Sequence, residues 1–218
     1  MPLSAVVFDL DGVIVKTNLV KRDTMLSLFA DISDQQDAIS RFILENGGIP
    51  RRMKLAQLLR KYRHADPSEE MLSEYLRRYA TALEHQLAAA HMVEGVAEFI
   101  ASDLVSQHVC SSAPESEVRK QLACRGLEAH FAAIYGGEMP KAEALRTIKA
   151  AHMNGPIVFF GDSSADYEAA REAGAAFVAV VCEHDNFQSE SVVRITDFSH
   201  RAGVEQAILQ SLAQRRAT

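Results

Sequence analysis

Two aspartates spaced two apart, Asp9 and Asp11, follow directly on the apolar run from Leu3 to Phe8. A second acidic pair, Asp162 and Asp166, follows the apolar run from Ile157 to Phe160, and between the pairs lie Ser111, Ser112 and Lys141. A carboxylate at the end of a buried strand can attack phosphorus and form an acyl phosphate, dividing one hard displacement into two easier ones. A carboxylate and a phosphate repel each other unless a cation stands between them. Clustered aspartates offer the oxygen ligands that a hard dication takes, and magnesium fits best. Taken singly, Asp-x-Asp-Gly is also a turn signal, and Asp166 is also an acid suited to a helix start. Their joint occurrence favours chemistry.

These residues need a scaffold that brings them to one edge. Apolar, β-branched runs at 3–8, 105–110, 133–135, 157–160, 176–181 and 192–195 read as short strands. They alternate with helical patterns over 93–102, 115–124, 142–151, 165–173 and from Gly203 onward. Such alternation implies βαβ units and an α/β fold, a doubly wound parallel sheet covered on both faces, whose ligands gather at the carboxyl ends of the strands. From Leu19 to about Ala90 the pattern is helical throughout, with breaks at Gly47-Gly48-Ile49-Pro50 and Asp66-Pro67-Ser68. The expected division is a core of residues 1–16 and 91–218 with an inserted all-helical cap at 17–90.

The segments FDLDGVIV, VCSSAP, MPKAEAL and FFGDSSADYEAAREAG, in this order, resemble the motifs of the haloacid dehalogenase superfamily. The likeness spans Leu3 to Val15 and Met92 to about Val181, and the helical insert stands where that family carries its helical cap, as in phosphoglycolate phosphatases and β-phosphoglucomutases. The resemblance implies a magnesium-dependent phosphatase acting on a small-molecule phosphate ester. Asp9 would be the nucleophile. Asp11 would protonate the departing alcohol and then take a proton from water, which requires neighbouring negative charge to keep it partly protonated near neutrality. Asp9, the backbone carbonyl of Asp11, and Asp162 would hold Mg2+, with Asp166 beside or behind them. Lys141 would neutralise phosphoryl charge and keep Asp9 ionised, and Ser111, with Ser112 as its rival, would hydrogen-bond a phosphoryl oxygen. Lys141 is followed by Ala-Glu-Ala where the family commonly has Pro-x-Pro.

Arg51, Arg52 and Lys54, in the segment GGIPRRMK, suit either an anionic or hydroxylated part of a substrate or, equally, a solvated basic patch; the segment resembles the G-x-S-R stretch of β-phosphoglucomutases, with Arg51 at its arginine. A mutase pattern also has a histidine about ten residues after the second motif aspartate. Here Lys21 stands at that place and the first histidine is His64, which tilts the expectation towards hydrolysis. A non-catalytic binding protein on the same fold would have lost a motif residue, and none is missing.

Composition bounds the rest. At 218 residues, 48% hydrophobic and 24% charged, the chain has material for a substantial core. A net charge of -6 offers no basic footprint for nucleic acid. Cys110, Cys124 and Cys182 form an odd set without C-x-x-C spacing, which suits a reducing cytoplasm better than a disulfide framework or a zinc site. No leader pattern opens the sequence and no apolar run is long enough for a bilayer, so no membrane partner is expected. The chain is expected to be a cytoplasmic monomer or dimer. The eight histidines lack ligand spacing and read as surface or interface residues, and Met53 and Met71 read as core.

Overall fold

The computed structural model describes residues 3–46, 49–63, 66–102, 105–182, 185–187 and 191–217. The break at Gly47-Gly48 and His64 lie outside them. The chain forms two compact units, one of residues 1–16 and 91–218 and one of residues 17–90.

In the first unit, β1 (Ala5–Phe8), β2 (Ser106–Cys110), β3 (Ala133–Tyr135), β4 (Ile157–Gly161), β5 (Ala176–Val180) and β6 (Val193–Ile195) form one sheet in the order β3-β2-β1-β4-β5-β6. Every pairing is parallel. From β1 the chain builds outward through β2 and β3, then returns to lay β4, β5 and β6 on the other side. The order therefore reverses between β1 and β4, the place where open α/β sheets bind ligands. Phe8 is level with Val109 and with Phe160, so the residues just past these three strands emerge together at the carboxyl edge.

Alternate residues serve opposite faces, and in β1, β4 and β5 both faces are buried, which explains why those three strands read as unbroken apolar runs. On one face Ala5, Val7, Ile157, Phe159, Phe177 and Ala179 pack with α7 (Lys141–Ala151) and α8 (Ser164–Ala173). Alanines 142, 144, 169, 170 and 173 on those helices are small enough to bring them close to the sheet. On the other face Phe8 stacks on Phe160 at 5.4 Å and meets Phe99, Phe131 and Phe198 at 6.1–6.2 Å. Phe99 lies on α5 (Val96–Ala101); α6 (Glu115–Ala123) and α9 (Arg201–Ala217) complete the unit.

The second unit consists of α1 (Asn18–Ser27), α2 (Gln36–Glu45), α3 (Arg51–Arg63) and α4 (Glu69–Ala89). Its own core includes Met25, Phe29, Ile39, Ile43, Leu55, Leu58, Leu59, Tyr79 and Leu83. Ser68 caps α4 by accepting from the Met71 N–H at 3.1 Å, which is why Asp-Pro-Ser marks the break. Among the described residues no helix is long and apolar enough to cross a membrane.

Four readings change. The helix expected over 93–102 is only α5, because Gly95 takes φ +72° against Phe198 and Ser199, whose backbone a side chain at 95 would strike. The last helix starts at Arg201 rather than Gly203, because the His200 ring accepts from the Gly203 N–H at 3.1 Å and caps it. Met53 and Met71 are exposed, since the buried stripe of α3 runs through Leu55, Leu58, Leu59 and Tyr62. His108 is buried in β2 rather than lying at the surface.

Candidate active site

Asp9 leaves β1 with its N–H bonded to the Phe160 carbonyl of β4 at 2.9 Å, so its backbone is fixed between the central strands. Its carboxylate is buried. Oδ1 accepts from the Leu10 N–H at 2.8 Å and from Lys141 Nζ at 3.1 Å. Beyond it the chain folds back on itself: Ile14 and Val15 donate to the Leu10 carbonyl and Gly12 to that of Val15. This loop carries Asp11, which is partly buried.

The second acidic pair is organised by a helix start. Ser163 caps α8 and Asp166 closes the box: the Ser163 hydroxyl accepts from the Asp166 N–H, and Asp166 Oδ2 accepts from the Ser163 N–H at 3.1 Å and hydroxyl at 2.6 Å. Asp166 Oδ1 receives Lys141 Nζ at 2.5 Å, so this fully buried carboxylate is committed on both oxygens. Gly161 makes the approach possible, because a Cβ there would stand 2.5 Å from the Asp166 Cβ and 2.8 Å from the Phe177 ring. Ser163 was not picked out from the sequence as a site residue, although the spacing Ser-x-x-Asp carries the capping signal.

Lys141 is the first residue of α7, an unfavourable place for a cation unless acids face it. Two do. Burial alone would lower its pKa, but Asp166 and Asp9 outweigh that and hold the ammonium protonated well above the ordinary lysine range. Burial pushes the Asp9 carboxyl up to about 7 against the opposing Lys141 charge, with Asp166 and Asp11 adding to the rise.

Ser111, just past β2, is buried; its N–H donates to the Tyr135 carbonyl at 3.0 Å and its hydroxyl accepts from the Ala113 N–H at 3.1 Å. Ser112 is less buried. Neither caps α6. The Glu138 carboxylate does so, accepting from the Glu115 N–H at 3.1 Å, a contact across 23 residues that no local pattern announces. Arg51 and Arg52 belong to the helical unit, where the Arg51 guanidinium lies 4.7 Å over the Tyr79 ring and Arg52 pairs with Glu69.

Asp9, Asp162 and Asp166 each offer a carboxylate oxygen within 4.8 Å of the others. With all three carboxylates ionised, one ammonium leaves two negative charges unbalanced, the charge of one divalent cation. All the donors are oxygens, as a hard dication requires. The Asp11 carboxylate is not part of this cluster, though its charge reaches Asp9. Cys110 is no competing nucleophile, since burial pushes its thiol up to about 12.

Residues 6–180 match the family model described as haloacid dehalogenase-like hydrolase. No curated protein matches the chain in sequence. Among solved structures, CbbY from Rhodobacter sphaeroides in complex with phosphate is 18% identical with a TM-score of 0.72, covering 94% of this chain and 100% of that one. A predicted phosphoglycolate phosphatase from Haemophilus somnus is 19% identical with a TM-score of 0.73, covering 94% and 98%. A candidate β-phosphoglucomutase from Thermotoga maritima is 20% identical with a TM-score of 0.67, covering 94% and 100%. At these identities the likeness is one of fold.

Proposed function

Since the chain belongs to the haloacid dehalogenase-like hydrolase family, we propose that it is a magnesium-dependent phosphatase that hydrolyses a small phosphorylated metabolite through an acyl phosphate on Asp9. The observation that carries this reading is the position of Lys141, which bridges Asp9 and Asp166 beside Asp162. A sugar phosphate or small organic phosphate is the substrate class, and a fold relative that binds phosphate supports it.

Among the described residues the Asp9 carboxylate is met at Oδ1, by the Leu10 N–H and Lys141, which leaves Oδ2 to attack phosphorus. As the Oδ2–P bond forms, the bond from phosphorus to the alcohol oxygen breaks, and Asp11 delivers its proton to that oxygen. Asp11 then takes a proton from water, whose oxygen attacks phosphorus; the P–Oδ2 bond breaks and phosphate leaves. Lys141 and the Ser111 hydroxyl meet the phosphoryl oxygens. Asp9, Asp162 and the Asp11 carbonyl would hold the magnesium ion, with Asp166 behind them, committed to Lys141 and the α8 start. A bound Mg2+ supplies positive charge against Asp9 and the phosphoryl group.

The helical unit is assigned as the cap that excludes water from this chemistry. Arg51 and Arg52 on it would meet an anionic or hydroxylated part of the substrate. A mutase on this scaffold would return the phosphoryl group to a sugar rather than to water. Phosphate release from a panel of metabolite phosphates, with and without Mg2+, tests the reading, and a bisphosphorylated sugar in the panel separates release from isomerisation. Release should need Mg2+ and vanish in Asp9→Asn; activity that survives either change refutes the proposal.

A further inference from the structure

The segment that follows β5 reaches both acid-bearing loops. Cys182 donates through its thiol to the Gly12 carbonyl at 3.2 Å, on the loop that holds Asp11. Four residues later the Asn186 side-chain amide donates to the Asp162 carbonyl at 2.9 Å. From the other side, Asp166 Oδ2 accepts from the N–H groups of Asp162 at 3.3 Å and Ser163 at 3.1 Å. The Asp162 backbone is thus held at its N–H and at its carbonyl.

Asn186 is itself anchored. Phe187 next to it is fully buried, 5.6 Å from the ring of Phe177 on β5. The Asp185 carboxylate accepts from the Phe187 N–H at 2.8 Å. Arg194 of β6 then ties the segment to the sheet edge, donating to the Phe187 carbonyl and lying 3.6 Å from the Asp185 carboxylate. A line of contacts therefore runs from β6 through Asp185 and Phe187 to Asn186 and on to Asp162. It gives the short outer strand a role that sheet packing alone does not require.

We propose that Asn186 is a positioning residue for the divalent-cation site: by fixing the Asp162 carbonyl it aims the Asp162 carboxylate at the ion, with Arg194 holding Asn186 in place. This rests on the magnesium reading above. Partners that orient metal ligands typically contribute ten- to a hundredfold in metal affinity or activity.

The test is Mg2+ binding to the purified full chain by calorimetry, beside thermal unfolding without metal and phosphate release across a Mg2+ titration. Asn186→Ala and the isosteric Asn186→Leu should each raise the Mg2+ dissociation constant about tenfold. Their metal-free melting temperatures and their KM at saturating Mg2+ should stay near those of the parent, and Asn186→Gln should recover part of the affinity. Arg194→Ala, at an exposed position, leaves Asn186 itself intact and should weaken Mg2+ binding by a smaller factor; it keeps the test decisive if the Asn186 variants do not fold. Unchanged Mg2+ affinity in folded variants overturns the role of Asn186 and leaves the phosphatase reading standing. Absence of Mg2+ binding and Mg2+-dependent release in the parent chain overturns the phosphatase reading itself.

Discussion

Lys141 stands between two buried acids, so the residue proposed to aid the reaction also pairs with both of them in the metal-free site. Lys141→Met keeps the stem and removes the charge. Leaving buried carboxylates uncompensated costs about 3 kcal/mol, and losing a donor aimed at developing charge costs about a hundredfold or more in turnover. Urea unfolding without metal and phosphate release with Mg2+ measure the two effects. If Mg2+ then recovers much of the lost stability, the ion and the ammonium balance the same charge; a variant as stable as the parent in metal-free buffer would show that Lys141 does not. Asp9 and Asp162 were readable from sequence because each follows an apolar run, and a buried strand must surface at its end; Ser111 was readable only through its place in the motif order, with Pro114 three residues on. Asn186 and Glu138 were not, since each acts across more than 20 residues from a stretch without periodicity.

At the scale of elements, α7 is tied to the sheet at both ends. Lys141 pairs with Asp9 at one, and at the other His152 meets His108 of β2, with Nε2 atoms 3.0 Å apart. The ring centroids are 5.3 Å apart, about that contact plus the two centroid-to-nitrogen distances, so the rings meet head-on in an N–H···N bond rather than converging on a shared metal. Burial, and then the His152 charge, lower the His108 pKa to about 4, and Nδ1 finds no partner among the described residues. An unfolded histidine titrates near 6.5. Between those values the unfolded chain binds the extra proton, so this contribution is complete above about pH 6.5, falls as pH drops to about 4, and changes no further below. After allowance for solvent screening it amounts to roughly 1–2 kcal/mol. Comparing denaturant midpoints of the parent and His108→Gln from pH 7 to pH 4 checks it: the variant should lose less stability, and parallel curves would rule the effect out. The strands and most helices could be placed from periodicity alone. This pairing could not, because it depends on which helix covers which strand.

At the scale of the whole chain, residues 17–90 are entered and left through adjacent points of the sheet unit. The Lys16 N–H donates to the His91 carbonyl at 2.8 Å and the Val93 N–H to that of Ile14 at 3.0 Å. A linker of a few glycines and serines can therefore replace the helical unit without stretching the sheet. Because each unit has its own core, the shortened chain should fold with a cooperative melt and still bind Mg2+, while losing discrimination among phosphate esters. Circular dichroism, calorimetry and the substrate panel would show this, and a chain that fails to fold would show that the cores depend on each other. The shared register of β1, β2 and β4 has a heritable consequence. Deleting one residue within β4 would turn every side chain beyond it to the opposite face and draw Asp162 back by about 3.3 Å. By that geometry a strand can exchange one apolar residue for another and still deliver its acid, whereas a codon gained or lost there would displace the acid from the site. Length, more than identity, is what inheritance must preserve.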